Sequence, residues 1–367
     1  MQPFTTLTGV AASAFILAAV LLALAPRAAA QPYSPPGGKI FAGVSDIGNK
    51  EGYFEFTEAI DRHVAVLQAF EVWGGNLLEA KQRWKRTETR GMLSISTSPC
   101  YECAGVITPR EIASGKGDPY LIRLNEFLAD WDKPTYIRLL PEMNGHWNPY
   151  AAFNADGSAR GGEYKTKHFR RAWRRIVLIV RGGPRGKVNN KLLRQGLPRI
   201  KAEATPRRLG RPQVAFQWVP QTHGSPRIKK NRPAAYWPGS RYVDWVGADI
   251  YGKYPNFDGL ERFYESRKNF PFVIGEWSPW DSDNPGFVND LHEWAESHKR
   301  VRMLVYYQGF GDGNPYLIQR YPASRRALAK QLDSKRYMRF APHSDRPGKD
   351  DGGSKPDEGG GGVDPNG

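Results

Sequence analysis

The chain has 367 residues, 40% of them apolar, and a formal net charge of +16. That apolar content is enough for a substantial core and excludes a chain disordered throughout, and the length suits one large domain or two ordinary ones. With only two cysteines, Cys100 and Cys103, a multi-disulfide framework and an all-cysteine zinc site are excluded as well.

Residues 1–30 carry an apolar run from Gly9 to Ala25 and then Ala28-Ala29-Ala30, the pattern of a cleaved signal peptide. The n-region lacks Lys and Arg, and the alternative is an uncleaved anchor, for which the run is rather short. The mature chain is therefore expected to be secreted, to the extracellular side. In an exported chain the Cys100-Tyr101-Glu102-Cys103 spacing reads as a short-loop disulfide, with a redox pair as the alternative. Residues 31–38 form a Pro/Gly linker.

Eight short apolar runs follow, at 39–45, 64–70, 91–97, 135–140, 214–219, 243–250, 272–275 and 301–308. Most lead into an amphipathic segment: 57–63, 77–89, 119–131, 163–180, 259–268, 287–299 and 324–335. Continuous apolar strands alternating with helices predict a parallel sheet covered on its outside. Eight such units fit a single (β/α)8 TIM barrel over 39–340 better than an open doubly wound sheet, and no GxGxxG motif follows the first strand. Between the fourth helix and the fifth strand, residues 181–212 hold ten Lys or Arg against one acid, Glu203. This basic, partly helical insertion reads as a solvated surface, with a loose association with an anionic cell surface or polysaccharide as the sharper reading. No nucleic-acid motif is present, so no nucleic-acid partner is expected. Residues 341–367, rich in Gly, Asp and Pro, are expected to be a disordered tail.

Two strands run straight into a carboxylate. The fourth, with Arg138 inside it, reaches Pro141 and Glu142, followed by Met143-Asn144-Gly145-His146-Trp147; the seventh reaches Gly275-Glu276-Trp277. The C-terminal ends of barrel strands are where such folds keep their chemistry. A pair of carboxylates among aromatic side chains suits glycoside cleavage, whereas one strand-end Glu could equally be an ion-pair partner of Arg138.

These motifs, together with Tyr236-Trp237-Pro238-Gly239 and the run Tyr242 to Tyr251 (YVDWVGADIY), resemble the clan A barrel glycosidases. Among them the chain is most similar to glycoside hydrolase family 26, the β-mannanase-like family, over about residues 39 to 335. The resemblance implies a retaining double displacement in which Glu142 is the general acid/base and Glu276 the nucleophile, with carboxyl groups about 5 to 5.5 Å apart. It further implies that burial and nearby negative charge keep Glu142 protonated while hydrogen-bond donors hold Glu276 ionised. Tyr251 matches the family's tyrosine beside the nucleophile, and Trp147 the aromatic that packs on sugar. One departure stands out: the family's His before the acid/base is Pro141 here, which bears on substrate identity.

Other substrate-binding candidates are Asn144, His146, Trp73, Trp218, Trp277 and Tyr307, with Trp237, Trp280 and His223 as weaker ones; about half of the tryptophans are expected to face sugar. Asp244 and Asp249, flanking the sixth strand, read as structural. No metal and no cofactor are called for. The leading expectation is a monomeric, secreted endo-β-1,4-mannanase-like hydrolase whose partner is its polysaccharide substrate. The alternatives are a hydrolase of an acidic bacterial exopolysaccharide or another β-glucan, and a non-catalytic carbohydrate-binding barrel.

Overall fold

A computed structural model of the chain describes residues 33–46, 51–100, 102–201, 206–309 and 313–342. Residues 1–30, read above as a signal peptide, and nearly all of the tail lie outside the described residues. The central strands are β1 (Ile40–Asp46), β2 (Val66–Val72), β3 (Arg90–Ser96), β4 (Thr135–Leu139), β5 (Val214–Trp218), β6 (Trp245–Tyr251), β7 (Phe272–Ser278) and β8 (Val301–Tyr307). Each pairs in parallel with the next, and β8 returns to β1 from Phe41↔Met303 to Ser45↔Tyr307. The sheet is thus closed into a (β/α)8 barrel. All eight strands coincide with the apolar runs to within two or three residues, because a strand buried on both faces is apolar along its whole length.

The alternation within those runs becomes two separate cores. Ile40, Ala42, Val44, Leu67, Leu93, Ile137 and Phe216 face outward into a layer shared with the helices. Phe41, Val66, Met92, Tyr136, Ala215, Trp245, Val273 and Met303 face inward and pack on one another as the floor of the barrel. Two residues further along the same strands, still on the inner face, stand Gln68, Ser94, Arg138 and Gln217, with Ser45 and Asp249 two further again on theirs, all buried. The interior therefore grades from apolar at the floor to polar and charged towards the C-terminal mouth.

The surrounding helices are α1 (Gly52–Ala59), α2 (Leu78–Thr87), α3 (Pro109–Ser114), α4 (Asp118–Trp131), α5 (Thr166–Val180), α6 (Arg185–Arg194), α7 (Pro233–Tyr236), α8 (Phe257–Glu265), α9 (Pro285–Ser297) and α10 (Pro322–Leu332). α1 begins five residues before the predicted start, because Tyr53 and Phe56 are the residues it buries. The short α3 carries a capping box: the Glu111 amide donates to Thr108 Oγ1 (3.2 Å), and the Thr108 amide to Glu111 Oε2 (2.9 Å). α5 buries Phe169, Ala172, Trp173, Ile176 and Val180 at helical spacing. Its Arg175, fully buried, forks onto both oxygens of Asp118 at the start of α4, the Nε bond measuring 2.7 Å.

The basic insertion leaves α5, forms α6, and returns through a two-residue antiparallel pairing of Gly183–Pro184 with Arg208–Leu209. It connects a helix to the following strand, so it lies at the floor end, away from the mouth. The floor is also where Tyr337–Met338 pairs with Ile40 and Phe41 at the start of β1. There Arg90 donates to the carbonyls of Tyr33 (3.0 Å) and Pro342 (2.8 Å).

Candidate active site

β4 ends in a sharp bend. Leu140 (φ +42°) and Glu142 (φ +49°), on either side of Pro141, adopt the left-handed conformation, which costs of order 1 kcal/mol per non-glycine residue. The neighbouring strand ends hold this bend in place. The Leu140 amide donates to the Ile95 carbonyl (2.8 Å), the Glu142 amide to the Val219 carbonyl (2.7 Å), and the Tyr150 hydroxyl to the Pro141 carbonyl (2.7 Å). The bend turns the Glu142 side chain into the mouth, where Trp147 Nε1 donates to Oε2 (3.0 Å) and Gln221 Nε2 donates to Oε1. Gly145 is a requirement of this arrangement: a Cβ there would sit 2.5 Å from the Trp147 ring.

Glu276 arrives by a different device. From Ile274 to Trp277, β7 spends three residues where β6 (Ala248 to Ile250) and β8 (Leu304 to Tyr306) spend two. This bulge resets the alternation, so Glu276 follows Gly275 into the interior and Trp277 turns out to the helix layer. Inside, Arg138 Nη1 donates to Glu276 Oε1 (2.6 Å) and the Tyr251 hydroxyl to Glu276 Oε2 (2.6 Å). Arg138 also donates to Ser94 Oγ (3.2 Å) and, through Nη2, to Asp249. A Cβ on Gly275 would meet Arg138 Nε at 2.8 Å and Asp249 Oδ1 at 2.9 Å, which is why this position has no side chain. The strand-end ion pair foreseen for Arg138 exists, but with Glu276 and Asp249 rather than with Glu142.

The charges set the protonation of the site. Burial, and next the negative charge of Glu276, raise the Glu142 carboxyl above its usual range, against the pull of Arg138 and the Trp147 N–H. Burial likewise pushes Asp249 well up, although Arg138 opposes it; the charges of Glu276 and Glu142 add to the rise. Burial would push Arg138 down, but Asp249 and Glu276 outweigh it and keep the guanidinium charged. Tyr251 is raised by burial and then by Glu276, so its phenol stays neutral and donates. Asp249 and Glu142 are thus both disposed to carry a proton, and Glu142 shares the mouth with Glu276, which a cation and a phenol grip. Such a pair can deliver a proton to one side of a bond while attacking from the other.

The remaining sequence candidates divide by strand face. Tyr307, at the inner end of β8, lies by Tyr251 (6.2 Å between ring centroids), Phe70 (5.9 Å) and Tyr316 (4.7 Å), and Trp280 stacks obliquely on Tyr316 (5.2 Å). These half-buried rings make the aromatic wall of the mouth. His146 braces Trp147 edge-on (5.1 Å) and its Nδ1 meets Ser225 Oγ at 3.2 Å. His223 is exposed beside Thr222 and Asn256.

Three tryptophans expected to bind substrate do not reach the mouth. Trp218 and Trp277, 0% and 2% exposed, point outward, Trp218 against Trp237 (4.8 Å) and Phe263, Trp277 against Tyr306 (4.9 Å) and His292. Trp73 is buried against Tyr120 (4.8 Å) in the helix layer. Asn144, also expected to bind hydroxyls, is fully buried and takes both backbone groups of Gln221 (2.8 and 2.9 Å).

Asp244 is structural, forked by Arg181 (2.8 Å to each oxygen). Asp249, read the same way from the sequence, instead belongs to the charged network. Gln221 was missed, since a polar residue in a loop carries no signal of what it faces. Cys100 and Cys103 have Cα atoms 5.3 Å apart and are disulfide-bonded. Among the described residues no group of three or more His, Cys, Asp or Glu is arranged to hold a metal ion.

No protein-family model matches the sequence, and no curated protein matches it. Solved structures do match. The Bacillus subtilis mannanase BCman superposes with a TM-score of 0.53 at 14% identity, covering 83% of this chain and 88% of that one. The GH26 β-mannanase of Bacteroides ovatus gives 0.52 at 13%, covering 83% and 91%. A double mutant of the Cellulomonas fimi endo-β-1,4-mannanase gives 0.54 at 13%, covering 83% and 72%. At these identities the likeness is one of fold: the chain has the barrel of the GH26 mannanases.

Proposed function

We propose that this barrel is a secreted, retaining glycoside hydrolase that cleaves β-1,4-linked mannan within the chain. The observation that carries the reading is the meeting of Glu142 and Glu276 in one charge network at the mouth, each interacting electrostatically with the other and with Arg138. The mannanase names of the structural neighbours support mannan as the polymer, and the apolar leader supports export.

In the proposed reaction Glu276 attacks the anomeric carbon while Glu142 gives its proton to the leaving oxygen. Formation of the glycosyl ester consumes the charge of Glu276, which is one cause of the raised Glu142 pKa. Glu142 therefore becomes a weaker acid before attack and a stronger one during it, and the proton transfer is driven by the bond being made. Arg138 and the Tyr251 hydroxyl orient the nucleophile and receive its charge again when the ester is hydrolysed.

Glu276→Ala should abolish release of reducing ends from mannan, with azide restoring turnover as an α-glycosyl azide. Glu142→Ala with azide should give the β-glycosyl azide. Full activity in either variant without azide removes that residue from its role.

The acidic-exopolysaccharide alternative rests on Pro141, in the place of the family's histidine, and on the basic insertion, which lies at the opposite end of the barrel. Its remaining support is Pro141 and the exposed Arg227, Lys229 and Lys230 after β5. Reducing ends from an acidic polymer and none from mannan would decide for it.

A further inference from the structure

We infer that Gln221 is a positioning residue for Glu142, holding its carboxyl in the ionised form needed for the second half of the reaction; this rests on the acid/base role proposed above for Glu142. Glu142 has two carboxyl oxygens, and each receives one N–H: Oε2 from the Trp147 indole (3.0 Å) and Oε1 from the Gln221 amide. The amide presents its nitrogen, the orientation that favours an ionised carboxyl over a protonated one. Both oxygens are thus met by an N–H, and the Asp249 carboxyl is a further hydrogen-bond partner of Glu142.

Gln221 is itself built in. Asn144 Oδ1 accepts from the Gln221 amide N–H (2.8 Å), and Asn144 Nδ2 donates to the Gln221 carbonyl (2.9 Å). The Asn144 carbonyl in turn accepts from the Ser225 amide (2.8 Å) and from Asn231 Nδ2 (2.9 Å). The loop after β5 is thus clamped to the loop after β4, and the Gln221 side chain is the part aimed at the acid.

The groups facing Glu142 explain why such a donor is needed. From β6 come Asp249 and Tyr251, from β7 Glu276, from β8 Tyr307, and from its own loop Tyr150; the cation is Arg138 on β4. Burial and then the charge of Glu276 favour the protonated form, whereas Arg138, the Trp147 N–H and a hydrogen bond with Asp249 oppose it. The protonated form suits the first step; in the second the charge of Glu276 is held in the ester, and the burial that remains still opposes ionisation of Glu142. In the second, water oxygen bonds to the anomeric carbon and a water proton passes to the Glu142 carboxylate. The bond from that carbon to Glu276 breaks, its electron pair returning to Glu276. Donors on both oxygens of Glu142 stabilise the ionised state that must await the water.

The test uses the full chain and an aryl β-mannoside with an activated leaving group, for which protonation of the leaving oxygen matters little. Gln221→Met removes the donor at nearly constant volume. It should leave the first step intact and slow hydrolysis of the glycosyl enzyme by about 10- to 100-fold, within the range general-base help supplies, giving a burst of aryl alcohol. The alkaline limb of kcat/KM on mannan should move to higher pH, because the ionised form has lost a hydrogen bond. Gln221→Asn, one methylene short, should behave like Gln221→Met. An unmoved alkaline limb with no burst overturns the inference, as does a uniform fall of both steps with the limb in place, the signature of a merely structural residue. Glu142→Ala cleaving mannan at the wild-type rate would instead overturn the reading of the site on which the inference stands.

Discussion

Glu142 owes its state to two separable causes, its burial and the charge of Glu276. An acid whose pKa is raised keeps its proton over a wider range and loses it as pH climbs through the raised value, so turnover should fall on the alkaline side because of Glu142. Glu276→Gln takes away the second cause and leaves the first. In that variant the Glu142 titration, followed by NMR of its carboxyl carbon, should move to lower pH while staying above the ordinary glutamate value of about 4.3. A titration that stays put would mean the two carboxyls do not sense each other. Both glutamates could be found in the sequence because a carboxylate directly after an apolar run is conspicuous. Arg138, Asp249 and Gln221 could not be assigned, since their roles depend on which side chains meet across the barrel axis, and strand spacing along the chain says nothing about that. Arg138 holds two buried carboxylates, and removing one partner of such a group typically costs about 3 to 5 kcal/mol.

Strands and helices were legible to within a few residues wherever apolar periodicity defined them; the irregular elements were not. The bulge in β7 adds one residue that no composition rule marks, yet it decides that Glu276 faces in and Trp277 faces out. Reading Trp277 as a sugar platform follows from assuming unbroken alternation. Trp218 misleads for a simpler reason: it is the last residue of its strand, and strand-end aromatics look alike whether they face the mouth or the helices. Trp218 stands on the outer face with Trp237 and Phe263. Trp218→Ala should therefore cost about 3 to 5 kcal/mol of stability, as truncation of a buried aromatic does, and leave KM for mannan unchanged in the fraction that folds. Thermal unfolding and initial-rate kinetics on the same sample would check this, and a raised KM with an unchanged unfolding midpoint would return Trp218 to the cleft.

On the scale of the molecule, the barrel separates its chemistry from its strongest positive charge. The carboxylates open at one end; exposed Lys187, Lys191, Arg194 and Arg199 belong to the insertion at the other. Changing Lys187, Lys191 and Arg194 together to Ser should leave kcat/KM on neutral mannan as it was and weaken retention on an anionic resin or polymer. A matching loss of activity on neutral substrate would show that the insertion reaches the cleft after all. The sequence revealed this charge but not its location, which follows from the insertion joining a helix to a strand instead of a strand to a helix.

The same floor is stoppered by the two flanks of the barrel: Tyr33, Met338 and Ala341 pack against the inner apolar cluster, and Arg90 ties the Tyr33 and Pro342 carbonyls together. The described residues of both flanks therefore lie on the underside of the barrel. A reporter, affinity handle or second module spliced onto either flank should trail on the side away from the carboxylate mouth, and a surface that captured the molecule by those flanks should present its cleft to the surrounding medium.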